Sequence, residues 1–97
     1  MTELNVIEKI ELENQLVDTL DTMRIAISNH YEPEVESYEK LYSEYLNGLK
    51  SGELRSIDCY SKLLGLARAY LETSSKWDQP FLHKMGETEK LIKKLKT

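Results

Sequence analysis

His30, Cys59 and His83 are the side chains of this sequence with the widest chemical range, and they stand far apart. A zinc site needs several ligands at short, repeated spacing, and the chain has no CxxC pair and no HExxH run. A di-iron bundle needs a Glu three residues before each ligating His, whereas Ile27 and Pro80 occupy those positions. Phosphate cradles need clustered glycines, but Gly48, Gly52, Gly65 and Gly86 are isolated, which argues against a P-loop or a dinucleotide-binding turn. Cys59 near a helix start could gain thiolate character from the helix dipole. The plainer expectation is a small, half-buried residue beside Tyr60. Abundant Glu and Asp on the first half read as a solvated helical face. No catalytic residue, metal or cofactor is therefore expected, and the chain does not read as an enzyme.

Residues suited to binding are easier to find. Tyr38, Tyr42 and Tyr45 recur at steps of four and three, so they share one helix face. Their rings bury well while each hydroxyl seeks water or a partner, which suits a boundary position at a bundle edge or in an interface. Trp77 and His83 lie in "YLETSSKWDQPFLHKM", a stretch that also holds Pro80. Trp77 falls on the flank of the local seam, as a residue sealing one end of a bundle and able to anchor a partner. Lys90, Lys93, Lys94 and Lys96 surround Leu91, Ile92 and Leu95 as a short basic amphipathic end. Lysines in a last turn complement the helix dipole. They are also the residues that could contact nucleic acid, although the cluster holds no Arg and no aromatic side chain.

The elements that carry these residues are helical throughout, because apolar side chains recur at three- and four-residue steps and nowhere alternate as in a strand. The pattern predicts an all-α antiparallel bundle of three long or four shorter helices, over about 2–29, 33–50, 56–76 and 79–96, in a single domain spanning 1–97. Thr2 is the expected cap of the first helix and Pro33 the opening of the second. Gly52 suits a left-handed helix end and Ser56 a new cap. Gly65 and Gly86, inside helical patterns, are expected at close helix packing. Carried forward from Ile57 without adjustment, the seam runs through Tyr60, Leu64, Ala67 and Leu71 and re-emerges as Phe81, Met85, Ile92 and Leu95. The last two helices are thus either one kinked helix or two separated near Pro80, with Asp78 as a cap. The expected core is Ile10, Leu16, Leu20, Ile27, Leu41, Leu46, Leu63, Leu64, Leu71, Phe81, Met85 and Ile92.

Charge is divided along the chain. Met1 to Lys50 holds eleven acidic against four basic residues, and Ser51 to Thr97 six against nine, giving −7 and +3 within a net −4. Acidic and basic faces packed against one another inside one bundle explain this most simply. No apolar run approaches the roughly 20 residues that span a bilayer, and the start lacks the pattern of a signal peptide, so a cytoplasmic protein without membrane contact is expected. With one Cys no internal disulfide can form. The functional expectation is a non-enzymatic protein-binding module, such as a small adaptor, chaperone, inhibitor or immunity-type protein. It would act through its acidic, tyrosine-rich surface and as a homo-oligomer. The alternative is a nucleic-acid-associated regulator or packaging factor of a phage or mobile element, acting through the C-terminal lysines.

Overall fold

A computed structural model describes residues 3–29, 33–73 and 80–96. Among the described residues, four α-helices and one 3₁₀ segment form a helical bundle: α1 (Val6–Asn29), α2 (Pro33–Ser51), the 3₁₀ segment (Ile57–Leu63), α3 (Leu66–Thr73) and α4 (Pro80–Lys96). α1 is the central element and packs on both α2 and α4.

The first helix starts later than the sequence suggests. Asn5 Oδ1 accepts from the Glu8 N–H at 2.8 Å while Glu8 Oε1 accepts from the Asn5 N–H at 3.0 Å, a reciprocal capping box that starts α1 at Val6. Residues before it are committed elsewhere. The Leu4 N–H donates to Arg55 O at 2.9 Å and Glu3 pairs with Ser56 in one antiparallel bridge, so this backbone joins the link after α2 instead of extending the helix. Thr2, the expected cap, lies outside the described residues.

α2 opens at Pro33 and closes where a left-handed residue was expected. Gly52 has φ +82°, its N–H donates to Leu49 O at 3.3 Å, and the Glu53 N–H donates to Gly48 O at 3.0 Å. Those two bonds satisfy carbonyls that a helix end otherwise leaves open. Arg24 meets Glu39 near the α1–α2 connection, while Lys9 and Leu49 flank a cleft at the far end, the pairing of an antiparallel hairpin. Lys96 reaches Ser61, which follows the Arg55 link beside the start of α1, so α4 also runs antiparallel to α1.

The expected third helix is divided. Ser56 does act as a cap, its Oγ accepting from the Asp58 N–H at 3.3 Å, but it opens a 3₁₀ run whose buried residues, Ile57, Tyr60 and Leu63, keep a period of three. Leu64 is extended (φ −71°, ψ 133°) and Gly65 is left-handed (φ +88°), which ends the run and turns the chain into α3. Gly65 is thus a joint and not a close-packing position: a Cβ built there meets nothing within 4 Å, and the same is true of Gly86. The Glu89 side chain caps the new helix from α4, Oε2 accepting from the Ala67 N–H at 3.1 Å.

Because the 3₁₀ geometry and the joint shift the register, Leu71 turns outward at 44% exposure and Tyr70 takes the buried place. Ile10, also expected inside, is 51% exposed on α1. Leu16, Leu20, Leu46, Leu63, Phe81, Met85 and Ile92 are buried as expected, and Ile27, Leu41 and Leu64 are partly buried against them. The core further includes Leu12, Met23, Tyr42, Tyr60 and Leu82. Pro80 is the first residue of α4, where its missing N–H costs nothing. Whether the chain breaks or kinks before it concerns residues outside those described.

Candidate protein-binding surface

The tyrosine stripe on α2 is divided by the packing of its neighbours. Tyr42 is fully enclosed, whereas Tyr38 and Tyr45 are half-buried on either side of it. Tyr38 stands edge-on to Tyr70 of α3 (ring centroids 6.3 Å), and Tyr70 stands edge-on to Phe81 of α4 (5.2 Å), an aromatic chain that ties three helices together. Tyr45 packs against Tyr60 at 5.5 Å, and the Tyr60 hydroxyl donates to Leu54 O at 2.9 Å. Tyr42 is therefore a core residue, not a boundary one. Only the middle of the stripe is internal, while Tyr38 and Tyr45 on either side are half-buried against Tyr70 of α3 and Tyr60 of the 3₁₀ segment.

Tyr42 occupies an unusual position. Beside it lies a small polar cluster between α1 and α4, in which Gln15 Nε2 donates to Lys84 O (3.2 Å) and Thr88 Oγ1 (3.3 Å). Thr88 Oγ1 is placed to donate to Lys84 O (2.9 Å) and also meets Thr19 Oγ1 (2.9 Å), where either hydroxyl can be the donor. Thr88 lies close enough to the Tyr42 phenol to lower its pKa slightly, yet no hydrogen bond of acceptable geometry reaches Tyr42 Oη among the described residues. Burial pushes the Tyr42 phenol far above the ordinary tyrosine range, the Glu89 carboxylate adds to the rise, and Thr88 offsets a little of it. Burial likewise raises Tyr60 and Tyr45, with Cys59 a second cause for both.

Cys59 is exposed, against the expectation of half-burial. It shares with Leu41, Glu44, Tyr45, Leu54 and Lys62 an open groove of about 470 Å³ between α2 and the 3₁₀ segment. His83 lies on the exposed side of α4, distant in sequence from Cys59, and Trp77 and His30 lie outside the described residues. Among the described residues no group of three or more His, Cys, Asp or Glu side chains could hold a metal ion. Lys90, Lys93 and Lys94 are exposed along the end of α4, and Lys96 Nζ donates to Ser61 Oγ at 3.0 Å. No helix among the described residues is long and apolar enough to cross a membrane.

The surface that sequence reasoning missed is on α1. Val6 (74% exposed), Ile7 (77%) and Ile10 (51%) form an apolar patch over the first turns, and Ile25 (60%) lies near the other end of the helix. Ile7 and Ile25 are eighteen residues apart, five whole turns, so they point in the same direction about 27 Å apart. Between them, at heptad steps, come Ile10, Asn14, half-buried Val17 and Asp21. This second seam lies away from the buried one formed by Leu12, Leu16, Leu20 and Met23. Exposed Glu11 and Asp18 border it, and exposed Asp21 lies within it. On the side toward α2, Arg24 is engaged by Glu39, Nε to Oε1 at 3.6 Å. The sequence signal was present in apolar residues at 6, 7 and 10 that do not belong to the main seam.

Compared with protein-family models, with curated proteins and with solved structures, the chain matches none.

Proposed function

We propose that this chain is a non-enzymatic protein-binding module, of the adaptor, chaperone, inhibitor or immunity type, whose working surface is the outer face of α1. The observation that carries this reading is the exposure of Val6, Ile7 and Ile10 together on one helix. Single exposed aliphatic residues are ordinary on protein surfaces, whereas a contiguous patch bordered by charge is what binding faces expose. Burying even part of three such side chains supplies the non-directional share of an association, and the acidic border supplies orientation. The groove beside Tyr45 is a subsidiary part of the same proposal, since its floor is apolar and its rims carry Glu44 and Lys62.

The test is an affinity capture from the native host with the wild-type chain and with the Ile7→Ser/Ile10→Ser double variant, followed by reconstitution of any captured complex from purified components. A partner lost from the variant, whose thermal midpoint stays in place because both positions are exposed, supports the reading. A purified partner that binds both forms equally refutes it.

The second reading is the nucleic-acid one, favoured by the exposure of Lys90, Lys93 and Lys94 on one end of α4. Phosphate contacts release counterions, so it requires steeply salt-dependent binding to DNA or RNA that is weakened by Lys90→Glu/Lys94→Glu.

A further inference from the structure

Resting on that reading, we infer that the segment docking along α1 is a cationic amphipathic helix of another protein, not a second copy of this chain. Three features of the stripe lead there. Its length from Ile7 to Ile25, about 27 Å, matches a partner helix of about five turns. Its exposed apolar groups lie at the two ends, with Val6, Ile7 and Ile10 at one and Ile25 at the other, so the partner needs apolar residues at both of its ends. Its middle is acidic: Asp18 and Asp21 are exposed there, with exposed Glu11 two turns before Asp18, while the nearby Arg24 is turned to Glu39. A partner with Lys or Arg in its central turns neutralises this stretch, and one with Glu or Asp meets like charge in a partly desolvated interface.

The same charges argue against self-pairing through this face. A two-fold antiparallel pair centred between Ile7 and Ile25 sets Glu11 opposite Asp21 of the second copy, twice over, and a parallel pair sets every carboxylate beside its own equivalent. The exposed lysines at the end of α4 do not supply the missing occupant from within the family of identical chains either. The apolar face of α4, through Phe81, Leu82, Met85 and Ile92, is already buried in its own bundle, which leaves its outer face with charge and no matching apolar ends.

The experiment uses the full chain, labelled for amide resonances, titrated with a synthetic helical peptide of 21 or so residues carrying Leu at both ends and Lys in the middle. Two control peptides replace every Lys by Glu or every Leu by Ser. The expected result is resonance shifts confined to α1 between Val6 and Ile25. Affinity should be at least tenfold weaker for Ile7→Ser/Ile10→Ser, for the Ser peptide and at high salt, and undetectable for the Glu peptide. The charge-reversed variant Glu11→Lys/Asp21→Lys should bind the Glu peptide in place of the Lys one. Equal binding of the Ser peptide overturns the inference, because charge alone would then explain the attraction. So do shifts centred elsewhere, or a dimer of the free chain that Ile7→Ser/Ile10→Ser dissolves. A natural partner released by Ile7→Ser/Ile10→Ser whose docking segment proves neutral or acidic also overturns it, while leaving the protein-binding reading intact. A partner indifferent to those substitutions overturns both.

Discussion

Replacing Tyr42 by Phe should stabilise this protein. The Tyr42 side chain is fully enclosed and its hydroxyl has no partner among the described residues. An enclosed polar group left unpaired costs about 1 to 3 kcal/mol, because it gives up its water without gaining a replacement. Phe keeps the ring, and with it the packing in the α1–α2–α4 core, while removing the one atom that carries the penalty. The gap left by a hydroxyl oxygen is small. At roughly 10 Å³ and ~24 cal/mol per Å³ of residual cavity, it offsets only about 0.2 kcal/mol. The net expectation is a gain of about 1 kcal/mol, which for a domain of this size raises the thermal midpoint by about 4 to 8 °C. Urea denaturation followed by circular dichroism, with the slope of the transition unchanged, measures it directly. A loss of 1 kcal/mol or more in Tyr42→Phe would refute the reasoning, since it would mean that the phenol is hydrogen-bonded in the folded chain.

Tyr60→Phe is the paired control and should have the opposite sign, a loss of about 1 kcal/mol, because its hydroxyl donates to Leu54 O and the variant strands that carbonyl; urea midpoints of the two variants should fall on opposite sides of the wild type. Gly52→Ala should cost about 1 to 2 kcal/mol, from the left-handed φ of +82° that an L side chain resists and not from crowding, since a Cβ there meets nothing within 4 Å; a midpoint equal to wild type would contradict it. Glu89→Ala should remove the cap of α3 at a cost of about 1 kcal/mol, with amide exchange at Ala67 faster than in the wild type. Tyr42, Tyr45 and Tyr60 all have raised phenol pKa values. The folded chain therefore holds protons that the unfolded chain releases above about pH 10, so stability is complete below that pH and falls as pH rises beyond it. A urea midpoint that is flat or rising from pH 9 to 11 would refute this.

The helical fold was legible because its signals are local. Pro33 at the start of α2, Gly52 at its end and Ser56 before the next element act through their own backbone preferences, and each stands where those preferences point. The first helix was harder. Its true cap is Asn5 with Glu8, and what keeps residues 3 to 5 out of the helix is a hydrogen bond to Arg55, fifty-one positions from Leu4 in the chain. The unbroken heptad from Ile57 to Leu71 was misleading for a related reason. Three-residue and three-four steps coincide over Ile57 and Tyr60, so a 3₁₀ run cannot be told from an α-helix there. Only afterwards do Leu63 in place of Leu64, and Tyr70 in place of Leu71, reveal the different pitch.

The binding surface was hidden by a different ambiguity, one that belongs to amphipathic helices with two apolar seams. On α1, Leu12, Leu16, Leu20 and Met23 make one seam, and Ile7, Ile10 and Val17 begin another at the same heptad spacing. Periodicity measures how apolar residues are spaced, not which direction the bundle lies in, so Ile10 fits the reading of either. What decides between them is the supply of partners: α2 and α4 each have one strong apolar face, and together they cover only one side of α1. The tyrosines show the complementary effect. Tyr42 lies on α2 with the polarity of a boundary residue, but Tyr70, Phe81 and Tyr60 come from later in the chain to enclose the stripe. The chain thus places Tyr42 inside and Val6, Ile7 and Ile10 outside, and both placements follow from which helix faces remained available once α1 had its two neighbours.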